Sequence, residues 1–152
     1  MVLARDDYID AGLETLEWID GQQTASNGQF RPIGCGSFGK PHNHYPFDQQ
    51  PLEAQAAIEA AQSAWTATAN PRWFVHAKAA WDWFFGANDR GAVLADLASG
   101  RCRDGLTPRG ANENCGAESI LAFQLAHYSM LALARAQSES VGEERGGRGR
   151  LA

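Results

Sequence analysis

The segment from Arg72 to about Ala87 constrains this chain more than any other. It reads RWFVHAKAAWDWFFGA, with Trp73, Phe74, Ala77, Ala80, Trp81, Phe84 and Phe85 apolar at helical spacing. A stripe that wide cannot be covered by one neighbour, so this helix is expected to lie deep, packed on more than one side. Asn70-Pro71 sets its start, because Asn caps a helix well and Pro is tolerated at a first helical position. Just upstream, Pro51 opens another helix, Leu52 to Thr68, with Ala54, Ala57, Ile58, Ala61, Trp65 and Thr68 on one side. Its small residues permit close approach, and the short Asn70-Pro71 link predicts an antiparallel helical hairpin.

Two further helices complete the pattern. Asp6 to Gln22 places Ile9, Leu13, Leu16 and Ile19 at helical intervals, with Asp10, Glu14, Glu17 and Asp20 elsewhere. A long last helix is expected from about Cys115 to Gln137, carrying Ala117, Ile120, Leu121, Gln124, Leu125, Tyr128 and Leu131. The fold class expected is therefore all-α, roughly four helices in antiparallel hairpins, with short extended pieces only near Phe30 to Ile33 and Ala92 to Arg103. The domain is expected to occupy residues 1–137. From Ser138 the apolar periodicity is lost, so residues 138–152 are expected to be a disordered tail.

Composition removes several function classes. At 152 residues and 44% hydrophobic, the chain is long enough for one core-bearing domain. A formal charge of −5 gives no footprint for nucleic acid, whose binding draws on clustered Lys and Arg. No run approaches the roughly 18 apolar residues of a membrane span, and the acidic N-terminus does not resemble a signal peptide. Cys35, Cys102 and Cys115 form no C-x-x-C pair and are odd in number, which points to reduced thiols in a cytoplasmic protein.

Polar residues concentrate where two of the helices begin. DGLTPRGANENCGAE, Asp104 to Glu118, holds Asp104, Asn112, Glu113, Asn114 and Glu118, which offer donors and acceptors for sugar hydroxyls. The same residues also suit a turn at Asp104-Gly105, a cap at Asn114 and a dipole-complementing Glu118. The other helix start holds Asp48, Gln49 and Glu53, after a Gly- and Pro-rich loop with His42, His44 and Tyr45. Glu118 with Asp48 or Glu53 are the candidate catalytic carboxylates, as acid and base on a glycoside. His42, His44, Gln49, Asp104, Asn112, Glu113 and Asn114 are the candidate ligand-binding residues. Both polar helix starts are expected to face each other across one mouth. An H-x-H pair with Asp48 lacks an evident fourth ligand, so no metal and no cofactor is expected. Trp18 and Tyr45 are the better candidates for stacking on sugar rings, while His76, His127 and most Trp and Phe residues are expected to be structural.

Taken together, FDQQPLEA, RWFVHAKAAWDWFFGANDRG and GRCRDGLTPRGANENCGAES resemble the C-terminal helical region of bacterial group 1 glycosyltransferase-type proteins. That resemblance spans most of the chain to about Ala136 and implies an (α/α) six-hairpin toroid. A full toroid has far more helices than four, so a piece of one is implied. No βαβ unit or Gly-rich phosphate loop is present to bind a nucleotide sugar. The function implied is a carbohydrate-related module that contacts a glycan or docks a partner domain without catalysis of its own. A small glycosidase or epimerase-like enzyme using the paired carboxylates is one alternative. An oligomeric interaction scaffold, burying the open edges of an incomplete toroid, is the other.

Overall fold

The computed structural model describes residues 6–37 and 46–148, with residues 141–148 described as backbone only. Four α-helices dominate: α1 (Asp6–Gln22), α2 (Pro51–Thr68), α3 (Arg72–Trp83) and α4 (Ala117–Arg148). Between α3 and α4 lie four two-residue strands, β1 (Ala95–Asp96), β2 (Arg101–Cys102), β3 (Leu106–Thr107) and β4 (Gly110–Ala111). They pair antiparallel as β1 with β2 and β3 with β4. The helical expectation thus holds with a small addition of sheet. Its physical reason is that Gly100, Gly105 and Gly110 break helix in a segment whose backbone still needs partners.

The hairpin of α2 and α3 forms as its punctuation predicts. Gln50 precedes α2 in an extended conformation and Pro51 starts it, while Ala69 ends it in the left-handed region at φ 51°. The Ala69 N–H returns to the Trp65 carbonyl at 2.7 Å, and the Asn70 side chain accepts the Arg72 N–H at 3.1 Å. Small residues then bring the helices together: Ala54, Ala61, Ala77 and Ala80 are buried alongside Ile58, Trp73 and Trp83. Helix α4 covers the other side of α2 and contributes Phe123, Ala126 and Leu133 to the same core. Half-buried Trp81 stacks on Phe123, ring centroids 5.6 Å apart at 10°. His127 stacks on the same Trp81 ring at 5.5 Å, a structural place.

Helix α3 ends before Ala87 because Asn88 intercepts it. The Asn88 side chain is buried, donates to the carbonyls of Trp83 and Ala92 at 2.9 and 2.7 Å, and accepts the N–H groups of Arg90 and Ala92. Helix α4 runs on to Arg148, so the expected disordered tail is helical backbone that far, and residues 149–152 lie outside the described residues. Gln137 to Arg145 contains no Pro, and extending an existing helix adds a hydrogen bond for each residue fixed.

Helix α1 is attached differently. None of its residues is buried, although Leu13 and Leu16 pack partly against the core. Glu17 pairs with Arg72 at 2.8 Å and the Asp20 carboxylate meets the His76 imidazole, so polar side-chain contacts tie α1 to α3. Among the described residues, no helix is long and apolar enough to cross a membrane.

Candidate functional site

The polar segments before α2 and α4 meet through their backbones. Gln49 and Leu106 exchange hydrogen bonds, Gln49 N–H to Leu106 carbonyl at 3.0 Å and the reverse at 2.9 Å. Gly105 makes that approach possible, because a Cβ there would stand 2.5 Å from the Gln49 carbonyl oxygen. Their side chains, however, have separate surroundings.

Gln49 turns inward and is wholly buried. Its carbonyl oxygen accepts the Trp83 indole N–H at 2.8 Å, and its amide donates to Asp89 at 2.6 Å. Asp89 also receives Arg31 through Nε at 2.8 Å and Nη2 at 2.6 Å, and the Gln29 amide at 2.9 Å. Burial alone would raise the Asp89 pKa, but hydrogen bonds from Arg31 and Gln49 and the charges of Arg31 and Arg90 hold it below its usual value. This relay ties the segment after α1 and the start of α2 to the turn after α3. Asp89 and Arg31 were missed as site-shaping residues: Asn88 to Gly91 reads locally as a turn, and nothing local marks a pairing with Arg31.

Asp104 acts as a cap delivered from outside its helix. One carboxylate oxygen accepts the Gly116 N–H at 2.5 Å and the other accepts the Asn114 side-chain amide. Asn112 in turn accepts the Asn114 N–H at 2.8 Å, and the Arg103 guanidinium donates to the Glu113 carbonyl at 2.6 Å. The Gly116 N–H is the largest influence on the Asp104 carboxyl and, with the side chains of Asn114 and Ser119, keeps its pKa low against the opposing effect of desolvation. Glu118 is exposed in the first turn of α4, where its charge complements the helix dipole. Asp48 is exposed as well, and its carbonyl accepts the Cys35 N–H at 3.3 Å.

Two grooves of similar size remain available to a ligand. The first, about 600 Å³, is polar and is lined by Asp96, Ser99, Arg101, Arg103, Glu113 and Asn114, among others. The strand alternation of β2 explains it: Cys102 is buried in the core, so Arg101 and Arg103 on either side share the outer face. Asp96 is held by the Ser99 hydroxyl at 2.7 Å and the Ala98 N–H at 2.9 Å, which lower its pKa. Guanidinium and amide donors stand here beside carboxylate acceptors, a set that matches vicinal hydroxyls. Of the residues expected to bind ligand, Glu113 and Asn114 line this groove, Asn112 is exposed beside it, and Asp104 is engaged in the cap. Arg101 and Arg103 were not foreseen, although their i, i+2 spacing around a cysteine is the signal for a shared face.

The second groove, about 630 Å³, lies between α1, α2 and the Ile33–Cys35 segment and is almost wholly apolar. Among the described residues, Glu53 is its single charged lining group. The Glu53 Oε2 accepts the Ile33 N–H at 2.7 Å and the Gln23 amide at 3.4 Å. Burial pushes the Glu53 pKa up, partly opposed by these two hydrogen bonds. Glu53 thus lines one groove, Glu113 and Asn114 another. His42, His44 and Tyr45 lie outside the described residues, and Trp18 is 64% exposed on α1. Among the described residues, no group of three or more His, Cys, Asp or Glu side chains is placed to hold a metal ion.

No family model, no curated protein and no solved structure matches this chain.

Proposed function

We propose that the chain is a carbohydrate-contacting helical module, comparable to a piece of a six-hairpin toroid from a glycosyltransferase-type protein, without catalysis of its own. One observation carries the reading: the polar groove where Arg101, Arg103, Asp96, Glu113 and Asn114 present donors and acceptors side by side. Glycan hydroxyls are recognised by such mixed sets, each hydroxyl donating once and accepting twice. The free thiols of Cys35, Cys102 and Cys115 fit a reducing, cytoplasmic setting. Backbone amide shifts during titration with neutral and acidic oligosaccharides test the proposal. Binding should move amides between Asp96 and Cys115, and Arg101→Ala should weaken it by about tenfold, or roughly 1.4 kcal/mol. Silence of that segment towards every sugar would defeat it. Turnover of a glycan that is lost in Glu118→Gln, with the fold retained, would instead favour the small glycosidase or epimerase.

A second reading rests on its own observation. Leu121, Leu125, Tyr128 and Leu131 of α4 are 61, 49, 67 and 42% exposed, and their spacing sets them along one side of the helix. An apolar helix face of this kind fits another helix, as a neighbouring hairpin of a toroid or a second copy of the chain would supply.

A further inference from the structure

We propose that the groove between α1 and α2 is a binding site for an amphipathic organic cation, its ammonium group on Glu53 and its hydrocarbon body against Leu16, Ile19 and Ile33. The site is distinct from the polar groove and does not depend on its reading. Volume and lining set the ligand's body: about 630 Å³ walled by Leu16, Ile19, Ile33, Ala56, Ala57 and Ala60 suits an extended apolar molecule. The polar end sets its head. Both hydrogen bonds to Glu53 fall on Oε2, from Ile33 and Gln23, so Oε1 is left to the groove among the described residues. Gln23 is only 8% exposed, lines the same groove, and spends its amide on Glu53, so its carbonyl oxygen is a second acceptor there. Two acceptors, one of them a carboxylate, call for a charged donor rather than a hydroxyl or a carboxylate.

Charge around the groove points the same way. Helix α1 contains Asp6, Asp7, Asp10, Glu14, Glu17 and Asp20 and no Lys or Arg. Arg72 and His76 answer Glu17 and Asp20, and among the described residues no cation lines the groove itself. The half-buried Glu53 carboxylate therefore has no counterion among them, and an ammonium head would supply one where low polarity strengthens the pairing. A hydrocarbon chain on that head gains from every methylene removed from water.

Calorimetric titration of the full chain with octylammonium, octanol and octanoate separates head from body. Octylammonium is expected to bind at least about tenfold more tightly than octanol, with octanoate weaker than both. Glu53→Gln keeps an acceptor for the Ile33 N–H, and should bring octylammonium and octanol to within about twofold of each other. Ala56→Trp, at an exposed lining position that tolerates bulk, should abolish binding of all three while circular dichroism stays unchanged. Equal affinities for the amine and the alcohol, a preference that survives Glu53→Gln, or no binding by any probe would each overturn the proposal.

Discussion

Trp83 donates its indole N–H to the side-chain carbonyl of Gln49 at 2.8 Å, with both side chains buried in the core. Because the Gln49 amide also reaches Asp89 at 2.6 Å, one neutral side chain links an aromatic on α3 to the carboxylate that holds Arg31. Gln49→Leu would strand the indole donor and remove a donor from Asp89. A loss of about 2–4 kcal/mol is expected from leaving such groups unsatisfied, read from urea unfolding midpoints. Gln49→Glu should preserve the indole bond yet set two carboxylates together, a penalty that lessens in acid.

Asp104→Ala should cost about 0.5–2 kcal/mol, the usual range for losing a helix cap. Because the Gly116 N–H holds the Asp104 pKa below the unfolded value, the carboxylate's contribution is complete above that value and is lost as pH falls through the folded pKa. Thermal melts should therefore show the two proteins converging below about pH 4.

Glu53 behaves with the opposite sign. Burial raises its folded pKa, so the native state holds the proton more readily than the unfolded chain, and stability falls as pH rises from the unfolded towards and through the folded pKa. Glu53→Gln should consequently melt higher than the wild type at neutral pH, and its advantage should vanish in acid. If Glu53→Gln instead lowers the melting temperature at neutral pH, the two hydrogen bonds to Oε2 outweigh desolvation.

The thiols should separate by reactivity. Cys102 is wholly buried, and burial, with Cys115 and Asp104 nearby, pushes its pKa to about 12. Cys35 is exposed. Brief alkylation of the native protein followed by mass spectrometry should label Cys35 while Cys102 reacts only after unfolding.

On α4, Leu125→Lys combined with Tyr128→Lys should alter stability by only about 0.5 kcal/mol per site, since both are exposed. The pair should nonetheless abolish any concentration-dependent association seen by light scattering. Association that persists in the double variant would place the contact elsewhere.

The helices, the tight turn at Asn70-Pro71 and the deep position of α3 were legible in the sequence, because side-chain period, caps and proline restrictions act within a few residues. The Gly- and amide-rich loop before α4 was legible as a capping loop or a ligand site, with nothing local to choose between them. Its carboxylate reaches Gly116 rather than solvent because the backbone pairing of Gln49 with Leu106 and the bond from Asp104 N–H to the Asn114 carbonyl fold the loop back on itself.

Sequence alone therefore determined the four helices, the last of them as far as about Gln137, and which of their faces are apolar. Only the tertiary structure decided where the polar side chains spend their hydrogen bonds. Arg31 and Asp89 are 58 positions apart, and Gln49 and Trp83 are 34 apart, so neither pair leaves a trace in local periodicity. The physical reason is that a buried donor or acceptor takes whatever partner the packed chain delivers, and packing is a property of the whole core rather than of any one segment.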